Sequence, residues 1–296
     1  MPYINVDEAY ILDNTGLQVD NSVDYANANA NRNLLDNPFF TVNQRSFSSG
    51  AATAAGLKTV DRWEAIRAGV TLNSDGSLTV TPSEAQYGLV QYIEPSRLKV
   101  GNRYTMSAIV DGEILSGSFV FQSATYSAGY FATFSNGIRF YSNYGSDKLT
   151  FWVIRSSTTA YTVSAVKLEL GSYSTLANDV PPDYGEELRK CQRYFVRVPL
   201  STGQACATGF ANSTTSIRFL IPVPTTMRSS PSVAITGSSV ANGNGAQLTI
   251  SAFNTPAVLA TCGVTCACTV SGATQYQSYS LSSTNTTSYI DLSADL

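Results

Sequence analysis

Between Leu34 and Leu170 the chain breaks into short apolar runs: VTLNSDGSLTVT, YGLVQYIE, RYTMSAIVDG, GSFVFQSA, GYFATFSN, IRFYSN, KLTFWVIRS and YTVSAVKLEL. Several alternate apolar and polar residues with period two, and most are bounded by Gly, Asn, Asp or Ser. Alternation sends successive side chains to opposite faces, so these runs predict antiparallel strands, and their number and spacing predict a jelly-roll sandwich. From residue 197 the same texture returns in QACATGFANS, TSIRFLIPV, SVAITGSS, AQLTISAFN, AVLATCGVTCACTVS, QYQSYSLSS and TSYIDLSA, predicting a second, smaller β-sandwich.

One segment, GEELRKCQRYF, carries a helical period. Pro181 and Pro182 stop the preceding strand, Asp183 is placed to cap, and Glu186 and Glu187 suit the positive helix start. Leu188, Cys191, Tyr194 and Phe195, spaced by three and four, predict one apolar stripe that docks the helix. Residues 1–33 cannot bury a core. Within them, Val19, Val23 and Ala26 allow a short helix packing against copies of itself, too short for a coiled coil. The expected fold class is therefore mainly β. It comprises an N-terminal attachment segment at 1–33, a jelly-roll β-sandwich at 34–172, a linker with a short helix at 173–196 and a β-sandwich tip at 197–296.

Composition narrows the function. Charged residues make up 13% of the 296, and the net charge is −3 with no basic stripe to neutralise phosphates, which speaks against nucleic acid. No apolar run of membrane-spanning length occurs, and the start MPYINVDEAY lacks the basic-then-apolar order of an export signal, so neither membrane insertion nor conventional export is expected. The chain has no histidine, which removes the commonest general base near neutral pH and excludes Ser-His-Asp and Cys-His catalysis. Cys191, Cys206, Cys262, Cys266 and Cys268 are odd in number and cannot all pair within one chain. Although TCGVTCACTV clusters three of them, zinc wants four ligands in pairs, so the cysteines read as small hydrophobes of a strand core. No metal or other cofactor is expected.

The series NLLDNPFFTVNQR, VDRWEA, AVKLELG, PPDYGEELRKCQRYF and FLIPVPTTMRSSPSVAITG resembles modular phage and prophage fibre proteins over residues 34 to about 240. That resemblance implies a homotrimer on the virion surface, assembled in the host cytoplasm, with residues 1–33 docked on a capsid or tail protein. It also implies a jelly roll similar to carbohydrate-binding modules, and hence adhesion to host or environmental glycans. Two alternatives stand beside it. One is a capsid-decorating head fibre with no receptor role; the other is the accessory carbohydrate-binding module of a secreted bacterial enzyme. The short leader favours a stubby appendage, such as a capsid-mounted fibre or a tail-tip knob.

Sugar recognition needs an aromatic face for the apolar side of a pyranose and polar groups for its hydroxyls. The segment QSATYSAGYFATFSNGIRFYSNYGSDK offers Tyr126, Tyr130, Tyr141 and Tyr144 among Asn136, Arg139, Asn143 and Asp147, and the candidate set is Tyr126, Tyr130, Arg139, Tyr141, Asn143 and Tyr144. The competing reading makes such aromatics cross-strand core pairs. Trp63 and Trp152 sit in apolar strand contexts and are expected in the core. Arg62 is expected to pair with Asp61. Asp61, Glu64, Glu94, Asp111, Glu113 and Asp147 could serve a glycosidase only if two faced each other across a cleft, and no catalysis is expected. NSDGS at 73–77 could hold calcium but reads better as an Asp-Gly hairpin turn.

Overall fold

The computed structural model describes residues 10–12, 18–20, 32–54, 56–122, 129–144, 148–243, 245–254, 258–260 and 263–296. The chain is mainly β, with a single α-helix among the described residues. It divides into two compact units. The first is Met1–Phe40, Ser49–Leu57 and Glu64–Pro181; the second is Thr41–Ser48, Lys58–Trp63 and Pro182–Leu296. Two short pieces that the sequence places at 34–172 thus group with the C-terminal half, as does the helix. Of the leader, Tyr10–Leu12 pairs antiparallel with Gln18–Asp20 across the Asn-Thr-Gly stretch, and the proposed helix around Val23 and Ala26 lies outside the described residues.

The first unit holds two six-stranded antiparallel sheets. One runs Glu113–Val120, Arg103–Val110, Tyr161–Leu170, Leu78–Pro82, Ala68–Leu72 and Ser49–Ala51; the other runs Gly129–Thr133, Ile138–Tyr144, Leu149–Arg155, Gly88–Ile93, Trp63–Ile66 and Leu57–Lys58. Consecutive strands often lie in different sheets, as a jelly roll requires. Alternation supplies the core: Ile138, Phe140, Phe151 and Val153 are fully buried, and Phe119 of the first sheet meets Phe131 and Phe151 of the second at 4.8 and 5.7 Å between ring centres. The Tyr161 hydroxyl crosses between the layers and donates to the Val153 carbonyl at 2.6 Å. Asp36 is clamped by both Arg97 nitrogens at 2.9 and 3.0 Å, and its N–H donates to the Gln91 side chain at 2.8 Å, fixing the NLLDN entry to the sandwich. NSDGS forms a hairpin turn, with Gly76 at φ +87° and the Asp75 carboxylate accepting from Ser77 N–H and Oγ.

In the second unit a three-stranded sheet, Phe195–Leu200, Ser288–Ser293 and Ser232–Thr236, accompanies a larger one. The latter runs Ala246–Thr249, Val240–Gly243, Ser278–Ser282, Ala207–Ser213, Ser216–Ile221, Gly263–Thr269 and Ala252–Phe253, with Val258–Ala260 also on Gly263–Thr269. Ile217, Phe219, Ile221, Val264, Leu281, Ile290 and Leu292 form its core, joined by buried Cys266 and Cys268. Both thiols are free, as is Cys206, and Cys191 is buried; Cys262 lies outside the described residues.

The helix spans Tyr184–Gln192, and Asp183 accepts from Glu186 N–H at 3.0 Å. It ends earlier than the apolar stripe predicts, because Phe195 already opens a strand and Tyr194 is held elsewhere. The Tyr194 carbonyl accepts from Ala294 N–H at 2.7 Å, and its ring lies 3.4 Å beneath the Arg62 guanidinium. Arg62 is therefore not simply the local partner of Asp61. The Asp61 carboxylate bonds the Gln44 N–H and the Arg45 guanidinium, while Arg45 also reaches Asp295 at 2.6 Å and stacks 3.5 Å over Phe195. Pieces of VNQR, VDRW and QRYF, distant in sequence, thereby converge on one cluster.

Candidate functional site

An aromatic hollow on the first unit is built by register. Tyr130, Tyr141 and Trp152 occupy three neighbouring strands, with Tyr130 opposite Tyr141 and Tyr141 opposite Trp152. Directly opposed residues share a face, so the three rings form a row across the sheet: 5.3 Å between the first two centres and 6.2 Å, edge-on, between the second two. The row stands on the side away from the core, because Phe140, Phe151 and Val153 take the other parity. A bulge between Tyr130 and Ala132 re-aims Tyr130, which remains 44% exposed.

Ala85, Gln86 and Tyr87 wall the row, and together with Ile154 they enclose a cavity of about 430 Å³. That volume falls in the range of roughly 300–1,000 Å³ typical of small-ligand clefts. Gln86 holds a left-handed backbone at φ +70°, a strained conformation for a non-glycine residue, with its N–H donating to the Arg155 carbonyl at 2.8 Å. Its side-chain oxygen accepts from the Tyr130 hydroxyl. Tyr87 lies under the Arg67 guanidinium at 5.1 Å, and Arg67 is itself bonded to Glu84.

Burial, with the neighbouring Tyr130 and Tyr87 hydroxyls, pushes the Tyr141 hydroxyl above its ordinary pKa, so it stays protonated and able both to donate and to accept. Trp152 directs its indole N–H to Thr150 Oγ1 at 2.9 Å, leaving its ring as an apolar surface. Arg139 stands two residues before Tyr141 on the same strand face, opposite Ile154, with its guanidinium 5.1 Å from the Tyr130 ring centre.

Of the sequence candidates, the fold brings Tyr130 and Tyr141 together and sets Arg139 beside them. Asn143 is exposed on the same strand face but does not line the cavity, and its backbone is tied to Thr150 Oγ1. The Tyr144 backbone pairs with Leu149; its side chain, like Tyr126 and Asp147, lies outside what is described. Asn136 closes a turn by accepting from Ile138 N–H.

Trp63 is buried as expected, but Trp152 is not a core residue: it takes the opposite parity from Phe151 and lines the cleft. The alternation in LTFWVIR already separates the two. Nothing local marks Gln86 and Tyr87, which arrive through a turn before Gly88. Among the described residues no carboxylate lines the cleft, and no group of three metal-ligating side chains forms. Asp111 pairs instead with Arg155 and Glu94 with Arg97. A second hollow, in the second unit, has one exposed ring, Phe210, among Thr208, Asn242, Ser278 and Ser280. No family model, curated protein or solved structure matches the chain.

Proposed function

We propose that the chain is a non-catalytic adhesion subunit, of the fibre or appendage type found on phage particles, and that its first unit binds glycans in the Tyr87–Tyr130–Tyr141–Trp152 cleft. The observation that carries the binding part is the ring row itself: aromatic faces turned out of the core, walled by an amide and by hydroxyl groups. Pyranose rings stack on such faces through their axial C–H groups while their hydroxyls bond to the polar wall. The assignment to a trimeric virion appendage rests on the sequence resemblance around NLLDNPFFTVNQR and PPDYGEELRKCQRYF. Trimeric display would add avidity to weak single sites.

A glycan array followed by calorimetry on the hits tests the binding part. Tyr141→Ala and Trp152→Ala, with unchanged thermal unfolding, are expected to weaken binding about tenfold or more, since stacking is lost and the cleft opens. Full retention of glycan binding in both variants removes the cleft from this role.

A further inference from the structure

Resting on the glycan reading of this cleft, we infer that the preferred ligand is an acidic saccharide, and that Arg139 is the residue that selects its carboxylate or sulfate. The argument begins with the charges around the ring row. Two arginines approach it, and they differ. Arg67, over Tyr87, is already neutralised by Glu84. The Arg139 side chain, beside Tyr130, makes no ion pair or hydrogen bond among the described residues, and its Nε is enclosed without a partner.

A guanidinium carries five donors in a rigid fork and matches a carboxylate or sulfate in two-point geometry. The enclosed Nε is beyond a ligand's reach, so the terminal guanidinium nitrogens are the donors that an anionic ligand group would meet. The Tyr130 ring lies 5.1 Å from the guanidinium, within the range of cation–π attraction.

Arg139 does not itself line the cavity, but it borders it: it is the register partner of Ile154, which does, and it shares a strand face with Tyr141 two residues on. A sugar stacked on Tyr130 and Tyr141 would therefore set a ring substituent against Arg139. With no carboxylate among the described lining residues, nothing described in the cavity repels an anion. A neutral sugar could still stack, but it would leave the guanidinium donors unmade.

The test compares four probes by calorimetry on the full chain: a galacturonic acid hexamer, its fully methyl-esterified counterpart, a sulfated heparin hexasaccharide and a neutral galactan hexamer. Expected is binding of one or both acidic probes about tenfold or more tighter than the neutral pair, falling with added salt. Arg139→Gln should bring the ratio of acidic to neutral affinity close to one, Arg139→Lys should restore part of that ratio, and Tyr141→Ala should weaken all four. The uronate and sulfate arms tell which anion is read. Equal binding of neutral and acidic probes, or a preference that survives Arg139→Gln, overturns the inference but leaves the glycan reading standing. If none of the four probes and no array glycan binds, both readings fall.

Discussion

The hydroxyl of Tyr161 occupies the space that a side chain on Gly88 would fill. A Cβ at position 88 would crowd the Tyr161 oxygen and lie 2.7 Å from the Val153 carbonyl oxygen to which that hydroxyl donates. Gly88 is present for closeness of approach and not for backbone freedom, and it lets one buried bond tie the two sheets under the cleft. Gly88→Ala is expected to cost about 1–3 kcal/mol by overpacking, and Tyr161→Phe about 1 kcal/mol through the lost bond. Because the hydroxyl is the nearest obstacle, the double variant should be less destabilised than the sum, with a coupling of about 1 kcal/mol. Urea unfolding of all four proteins checks this, and strict additivity would show that the two positions do not compete for space.

Asp61 makes the second unit less stable as pH rises from mild acid to neutral. Burial outweighs the favourable bonds from Gln44 and Arg45, with Asp295 adding a small repulsion, and pushes its pKa up from 3.8 to about 6. The folded state thus holds this proton more tightly than the unfolded state, so the contribution is fully present below about pH 4 and is lost as pH rises through 6. Relative to Asp61→Asn, the wild-type chain should lose of order 2–3 kcal/mol between pH 4 and pH 7. Parallel pH–stability curves for the two proteins would refute this assignment.

The cysteines should be chemically silent in the native protein. Burial raises the Cys266 thiol to about 12 and the Cys268 and Cys206 thiols to about 11, and Cys191 is buried inside the helix packing. The thiolate is the reactive form, so little of it exists at pH 8. In a Cys262→Ser background, a disulfide reagent at pH 8 should label these four far more slowly than in the urea-unfolded chain. Rapid native labelling of Cys266 or Cys268 would contradict their enclosure.

Much of this architecture is readable in the residues themselves. Period-two runs such as LTFWVIR and YTVSAVKLEL mark their strands, and Asp183 with two following glutamates marks the helix start. The helix end is not readable, because Tyr194 leaves the helical register for a tertiary reason, its stacking beneath Arg62. Half of the cleft is visible in the Tyr130–Tyr141 segment. The other half depends on which strands become neighbours: Trp152 reaches the row only because Leu149–Arg155 pairs with Ile138–Tyr144, and Gln86 only through a left-handed turn that no residue type announces. The apolar neighbours of Trp152 suggest the core, but the alternation of LTFWVIR sets it on the face opposite Phe151.

The composition of the second unit bears on how the chain is born. Arg45 bonds Asp295, a residue 250 positions later, so a ribosome threads out the VNQR and VDRW pieces long before their partner exists. The first unit has all of its strands by Pro181 and can close while synthesis continues, whereas the second waits for the final strand and Asp295. A chain released or clipped before Asp295 would leave the Arg45 cluster half assembled, so the second unit cannot close until the segment carrying Ser288–Ser293 and Asp295 has been made.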